Sequence, residues 1–183
     1  LPEAPQEKLN RYMNEFGLPE ADAQLLIKYR NISDYFEAAV KGLNTPKTVA
    51  NCIIGQIFSR LDGDGAKESF QVNVTPENLN ALVKLLEAGK IKMNLLKATL
   101  EKMLDTGKAA SELISESDMG GIDEDTLRKL CEQAIADNQS AVADYLSGKE
   151  KALKAILGAV MKATRGRADA VEAENLLIDL IRQ

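Results

Sequence analysis

The stretch Lys149-Glu-Lys-Ala-Leu-Lys-Ala-Ile-Leu-Gly-Ala-Val-Met-Lys-Ala-Thr-Arg-Gly-Arg167 carries a basic stripe and an apolar stripe on one predicted helix. The whole chain of 183 residues has a net charge of −5. This stretch alone carries about +5, so the remaining residues sum to about −10. A cationic helix in an otherwise acidic chain indicates an anionic partner.

Helical periodicity sorts the stretch into two faces. At about 100° per residue, five residues fall within roughly 80° of one another; they are Lys151, Lys154, Gly158, Lys162 and Arg165. The opposite side takes Leu153, Ile156, Leu157, Val160 and Met161. Gly158 lies in the basic row, where the missing side chain favours close approach of either a sugar-phosphate backbone or a neighbouring helix.

The basic row suits the backbone of a nucleic acid. From Lys151 to Arg165 the predicted helix rises roughly 21 Å, enough to run past about three consecutive phosphates of one strand. The alternative is a Lys-rich face that is simply solvated. The candidate binding residues are Lys149, Lys151, Lys154, Gly158, Lys162, Arg165 and Arg167.

Composition favours packed amphipathic helices. Aromatic residues make up 4% of the chain and Trp is absent, which favours an all-α fold over a sandwich or barrel. No apolar run near the basic stripe approaches the roughly 18 residues of a membrane span, and no signal segment leads the chain. We therefore expect a cytoplasmic protein without a membrane partner. Cys52 and Cys131 lack CxxC spacing, so we predict buried free thiols.

Helix-start signals recur along the first part of the chain. Thr45-Pro46 and Thr75-Pro76 each predict a capping hydroxyl and a helix, over residues 46–61 and 76–88. We predict an extended loop at residues 70–74 and a polar turn, not a calcium loop, at 62–65. The other helices expected are one ended by Gly17, one over 19–27, one over 34–41 capped by Ser33, one over 92–105 and a short one around Glu112.

Residues 115–121 (Ser-Glu-Ser-Asp-Met-Gly-Gly) have turn formers and little to bury, so they predict a domain boundary. We expect one helical domain over 1–118 and a second over 119–183. In the second, Asp123 and Ser140 begin helices, and Asp169 with Glu172 forms a capping box. This pattern predicts a small helical bundle with a marginal core.

The chain contains no histidine, which removes the commonest general base and most zinc sites. Gly107-Lys108 and Gly148-Lys149 lack the following Ser or Thr and the upstream glycine of a phosphate loop. We therefore predict no catalytic, cofactor or metal site in this chain.

Two motifs resemble a known family. The motif from Tyr145 to Leu153 and the run from Gly158 to Ala168 are similar to the YqeY-like tail of the B subunit of bacterial glutamyl-tRNA(Gln)/aspartyl-tRNA(Asn) amidotransferases. The similarity continues upstream through residues 34–40, 49–55, 86–91 and 103–107, so it covers essentially the whole chain. Leu1 replaces an initiator methionine, and we expect an excised C-terminal piece of a longer protein.

The resemblance implies a helical linker or cradle domain over 1–118 and a tail bundle of three to four helices over 119–183. It implies a non-catalytic, tRNA-binding portion of a ligase that converts Glu-tRNA(Gln) or Asp-tRNA(Asn) to Gln-tRNA(Gln) or Asn-tRNA(Asn). The parent enzyme would use ATP, Mg and glutamine-derived ammonia. Its partners would be tRNA and the amidase and small accessory subunits.

Two alternatives stay open from the sequence. One is a helical protein-interaction module that docks partner subunits through its apolar seams, with lysines that only solubilise it. The other is the tail of the related archaeal subunit that serves tRNA(Gln) alone.

Overall fold

The computed structural model describes residues 1–183, and every regular element in it is a helix. The all-α prediction is confirmed, and residues 70–74 contain no strand, as expected for an extended loop. None of the helices combines the length and the apolar character needed to cross a bilayer.

The chain divides into two compact units. The first unit comprises residues 1–89 and 96–115, and the second unit comprises residues 90–95 and 116–183. The chain therefore passes from one unit to the other three times. The assignment of residues 1–118 and 119–183 as cradle and tail domains stays a prediction.

Eight α-helices begin before residue 115. They are α1 (Pro5–Asn14), α2 (Glu20–Ile27), α3 (Arg30–Ala39), α4 (Pro46–Asn51), α5 (Gly63–Ser69), α6 (Pro76–Glu87), α7 (Met93–Thr106) and α8 (Ala110–Leu113). The first residues of α7 belong to the second unit and the others to the first.

One of the two predicted threonine caps is confirmed. The Thr75 hydroxyl accepts a hydrogen bond from the Asn78 amide at 3.1 Å, which satisfies a free N–H in the first turn of α6. The Thr45 cap was wrong, because the Thr45 hydroxyl donates instead to a Glu87 carboxylate oxygen at 2.6 Å. Pro46 still begins a helix, since its fixed φ suits the first helical position.

The single helix predicted over 46–61 is three helical segments. After α4 the chain forms a π-helix at Cys52–Ile57 and a 3-10 turn at Phe58–Arg60. A π-helix has more residues per turn than an α-helix, so residues four apart stay close to one face. Val49, Ile53 and Ile57 are accordingly all fully buried.

Two other local predictions were wrong. Ser33 does not cap a helix at 34–41, because α3 already begins at Arg30 and the Ser33 hydroxyl is buried against Lys8 at 2.6 Å. The polar turn predicted at residues 62–65 is also wrong, because α5 begins at Gly63. Asp64 there accepts a hydrogen bond from the Tyr29 hydroxyl, and its charge is favourable in the first turn of a helix.

The second unit contains a 3-10 turn at Glu116–Asp118 and four further helices. They are α9 (Glu124–Asp137), α10 (Gln139–Leu146), α11 (Ala152–Ala163) and α12 (Ala170–Ile181). Asp123 caps α9 by accepting from the Thr126 amide at 2.8 Å, as predicted. Asp169 accepts from the Glu172 amide at 2.9 Å. The start of α10 was misplaced, because Asn138 rather than Ser140 precedes it.

Candidate nucleic-acid interface

The helix α11 is held by the core of the second unit. It packs against α9, α10 and α12, and Leu153, Ile156 and Val160 are at most 5% exposed. Leu157 and Met161 lie at the edge of the same core, where they are partly buried. The apolar stripe predicted from the sequence therefore anchors the helix and fixes which face points to solvent.

The α-helix is shorter than the predicted segment from Lys149 to Arg167. Lys149 and Lys151 lie in a preceding turn of i to i−3 bonds, in which the Ala152 amide donates to Lys149 O at 3.0 Å and the Lys154 amide to Lys151 O at 3.2 Å. Arg165 and Arg167 follow the helix. The helix axis rises about 16 Å from Lys151 to Lys162, compared with the roughly 21 Å predicted for a helix from Lys151 to Arg165.

A left-handed turn ends α11. Arg165 and Gly166 have φ of 52° and 72°, and the Gly166 amide donates to Met161 O at 2.8 Å, which closes the helix in a Schellman-type cap. Thr164 is buried, and its hydroxyl donates to Met161 O at 3.2 Å. Arg165 therefore lies in the turn that follows α11 and not on the helix itself.

The middle of the basic row is open to solvent. Lys151, Lys154, Gly158 and Lys162 are all exposed, and none of the three lysines makes an ion pair. A Cβ atom built on Gly158 would meet no atom within 4 Å. Gly158 therefore packs against no other helix of this chain, and the helix surface beside it can be approached closely by a bulky anion.

The other three predicted cations have partners inside the second unit. Lys149 lies 3.8 Å from an Asp144 oxygen. Arg165 forms an ion pair with Asp118 at 2.5 Å. Arg167 donates to Ser117 O at 2.8 Å and to Thr164 O at 3.2 Å. The predicted site thus separates into three unpaired lysines, on α11 or immediately before it, and three paired cations at its two ends.

Sequence reasoning missed the residues that surround the turn after α11. Asp118, Ser117 and Asn94 are all distant from it along the chain, and the Asn94 side chain occupies the space that a Cβ of Gly166 would fill. The sequence did contain one signal for this turn, because a glycine just after an amphipathic stretch is typical of a helix C-terminus. Gly166 therefore indicates a helix that ends before Arg165.

The buried side-chain nitrogen and oxygen atoms of the chain all have a hydrogen-bond partner. No three His, Cys, Asp or Glu residues are grouped to hold a metal. Cys52 and Cys131 are buried free thiols, as predicted. Desolvation raises the pKa of Cys52 to about 12 and also raises the pKa of Cys131, so neither is a reactive thiolate near neutral pH.

The chain matches one family model and several curated proteins that share one name. The profile of a family described as the GatB domain matches residues 34–181. A protein of Thermoanaerobacter sp. (strain X514), named as the B subunit of an aspartyl/glutamyl-tRNA(Asn/Gln) amidotransferase, is 41% identical over 170 residues, which are 92% of this chain and 36% of that protein.

Two further relatives carry the same name. The protein of Bacillus licheniformis is 35% identical over 184 residues, covering 100% of this chain and 38% of its own length. That of Thermotoga maritima is 36% identical over 170 residues, covering 92% of this chain and 35% of its own length. The chain therefore spans little more than a third of the curated relatives it matches.

Proposed function

Because this chain belongs to the GatB domain family, we propose that it is a tRNA-binding, non-catalytic portion of the B subunit of an aspartyl/glutamyl-tRNA(Asn/Gln) amidotransferase. The proposal combines the names of the relatives with the exposed basic face of α11. The tRNA served would be tRNA(Gln), tRNA(Asn) or both.

One observation carries the proposal. Lys151, Lys154 and Lys162 form an exposed, unpaired basic row with the bare backbone of Gly158 between them, in a chain whose net charge is −5. Lysines that are not neutralised by neighbouring acids are available to phosphates, and a row about 16 Å long suits a short run of them. A merely solvated face gives no reason for the glycine.

The mechanism is electrostatic and depends on shape. Lysines that contact phosphates displace counterions, so the affinity falls with salt and little base sequence is read. Folded RNA is recognised largely through its shape, which here means the outline of the tRNA body. The acidic remainder of the chain disfavours contact with nucleic acid elsewhere.

The amidation chemistry belongs, in this proposal, to the rest of the parent protein and its complex. ATP, Mg and glutamine would be bound there, and the amidase subunit would release ammonia from glutamine. The small accessory subunit would be a further partner in the complex. The present chain would position the tRNA for that reaction.

The test is a charge reversal on the helix face. Lys154→Glu combined with Lys162→Glu should weaken binding of a tRNA(Gln) transcript and lower the slope of log K against log salt by about 1.8, which is about 0.9 for each lost phosphate contact. Filter binding between low and moderate salt gives the slope.

Two controls accompany the double variant. Lys41→Glu with Lys47→Glu makes the same charge change at exposed sites of the first unit and should leave the slope unchanged. Ile156→Glu places a charge at a fully buried position and should unfold the second unit. A double variant that binds tRNA as the unmodified chain does at low salt would refute the proposal.

A second candidate function is docking of a partner subunit. Leu146 and Val171 are large apolar side chains of the second unit that are 61% and 68% exposed, and such residues are candidates for contacts with another protein. Leu146→Ser with Val171→Ser should then abolish co-elution with the amidase subunit in size exclusion while tRNA binding persists. Unchanged co-elution would remove this candidate.

A further inference from the structure

The cation at the C-terminal end of the basic row is already neutralised within the chain. Arg165 Nη1 lies 2.5 Å from a carboxylate oxygen of Asp118, and the two side chains are 71% and 17% exposed respectively. The guanidinium is thus open to solvent on one side, while the carboxylate is largely covered. A guanidinium binds carboxylate and phosphate with the same planar arrangement of donors.

Contacts within the second unit hold the backbone on both sides of this pair. Arg165 and Gly166 have the left-handed backbone of the turn that ends α11. Arg167 holds the neighbouring segment by donating to Ser117 O at 2.8 Å. Asn94 fills the space beside Gly166. The backbone positions that carry Arg165 and Asp118 are therefore held by contacts within the second unit, and the Asp118 side chain is itself largely covered.

We propose that the Asp118 carboxylate is an internal competitor for RNA phosphate at Arg165. This inference rests on the proposed tRNA-binding function, and it assigns to Asp118 the effect of weakening tRNA binding at Arg165. A phosphate that reaches the open side of Arg165 replaces the carboxylate as its anion, and the largely covered Asp118 stays with its own segment. Because one anion is exchanged for another, Arg165 adds less to the affinity than the unpaired Lys154 and Lys162.

The competition also gives selectivity among anions. A weakly or wrongly placed polyanion gains little by displacing a carboxylate that is already well placed. An RNA whose other phosphates lie on Lys154 and Lys162 brings one phosphate to Arg165 at a high effective concentration, which favours the exchange. Asp118 thus makes contact at Arg165 conditional on correct docking along α11.

The test is a double-mutant cycle on the full chain, read by tRNA binding. Asp118→Asn keeps the shape of the side chain but removes its charge, and should tighten binding of a tRNA(Gln) transcript about two- to fivefold, the range that an exposed ion pair is worth. Glu174→Gln makes the same change of net charge at an exposed position of α12 and sets the baseline. In an Arg165→Gln background the gain from Asp118→Asn should fall to this baseline.

A second measurement covers the case in which Asp118→Asn perturbs folding. If phosphate replaces the carboxylate, Arg165→Gln alone lowers the salt slope by about 0.9, one phosphate contact. An unchanged slope for Arg165→Gln, or equal affinities for Asp118→Asn and Glu174→Gln, would overturn the inference while tRNA binding itself persisted. Absence of tRNA binding by the unmodified chain would instead overturn the proposed function.

Discussion

Replacing Gly166 with alanine tests the turn that ends α11. Gly166 has φ of 72°, and a Cβ built on it overlaps the Asn94 side chain. The left-handed backbone costs an L-residue about 1 kcal/mol, and forcing Asn94 into a poor rotamer costs about 1 kcal/mol more. We therefore expect Gly166→Ala to lower the free energy of unfolding by about 2 kcal/mol, measured by urea denaturation followed by circular dichroism.

The two contributions can be separated. Gly89 has the same φ of 72° but no atom within 4 Å of a built Cβ, so Gly89→Ala should cost only the backbone part, about 1 kcal/mol. Asn94→Ala alone changes an exposed residue and should stay within about 0.5 kcal/mol. Added to Gly166→Ala, it should recover about 1 kcal/mol. If it recovers nothing, or if Gly166→Ala costs no more than Gly89→Ala, the argument from the Asn94 contact fails.

Two further predictions concern titratable groups. Hydrogen bonds from the Thr126 backbone and side chain lower the pKa of Asp123. The ionised cap therefore stabilises α9 fully at pH values above the ordinary aspartate pKa of about 4, and this stabilisation is lost as the pH falls through the lowered pKa. Asp123→Ala should lower the melting temperature at pH 7, and the difference from the unmodified chain should shrink toward pH 3; a difference that grows on acidification would contradict the sign. Burial raises the pKa of Cys52 to about 12 and also raises the pKa of Cys131, and both thiols are buried. Both should therefore react with Ellman's reagent at pH 8 only after unfolding, and rapid labelling of the native chain would show that one of them is accessible.

The sequence predicted features that depend on local spacing. Apolar residues three and four apart marked the buried stripe of α11, and Thr75, Asp123 and Asp169 were recognised as caps because a cap acts within three residues of itself. The all-α class followed from composition and these local signals. Such features need no knowledge of what packs against the helix.

The missed features depend on residues far apart in the chain. Arg165 meets Asp118 across 47 residues, so a helical wheel counts it as a free cation when it is paired. Thr45 has the pattern of a cap, but its hydroxyl donates a hydrogen bond to Glu87, 42 residues away. Ser33 has the pattern of a helix start, but its hydroxyl accepts a hydrogen bond from the Lys8 ammonium. In each case a side-chain partner brought by the tertiary fold overrides a local preference.

The three crossings of the chain between its units restrict how the protein can be divided. Residues 90–95 belong to the second unit, where Lys90 O accepts from the Gly120 amide at 2.7 Å and Asn94 lies against Gly166. A fragment cut at residue 116 would lack this segment and expose the surfaces that it covers. Exchange of the tail between homologous proteins should therefore preserve the solubility and melting behaviour of the tail only when residues 90–95 are transplanted with it.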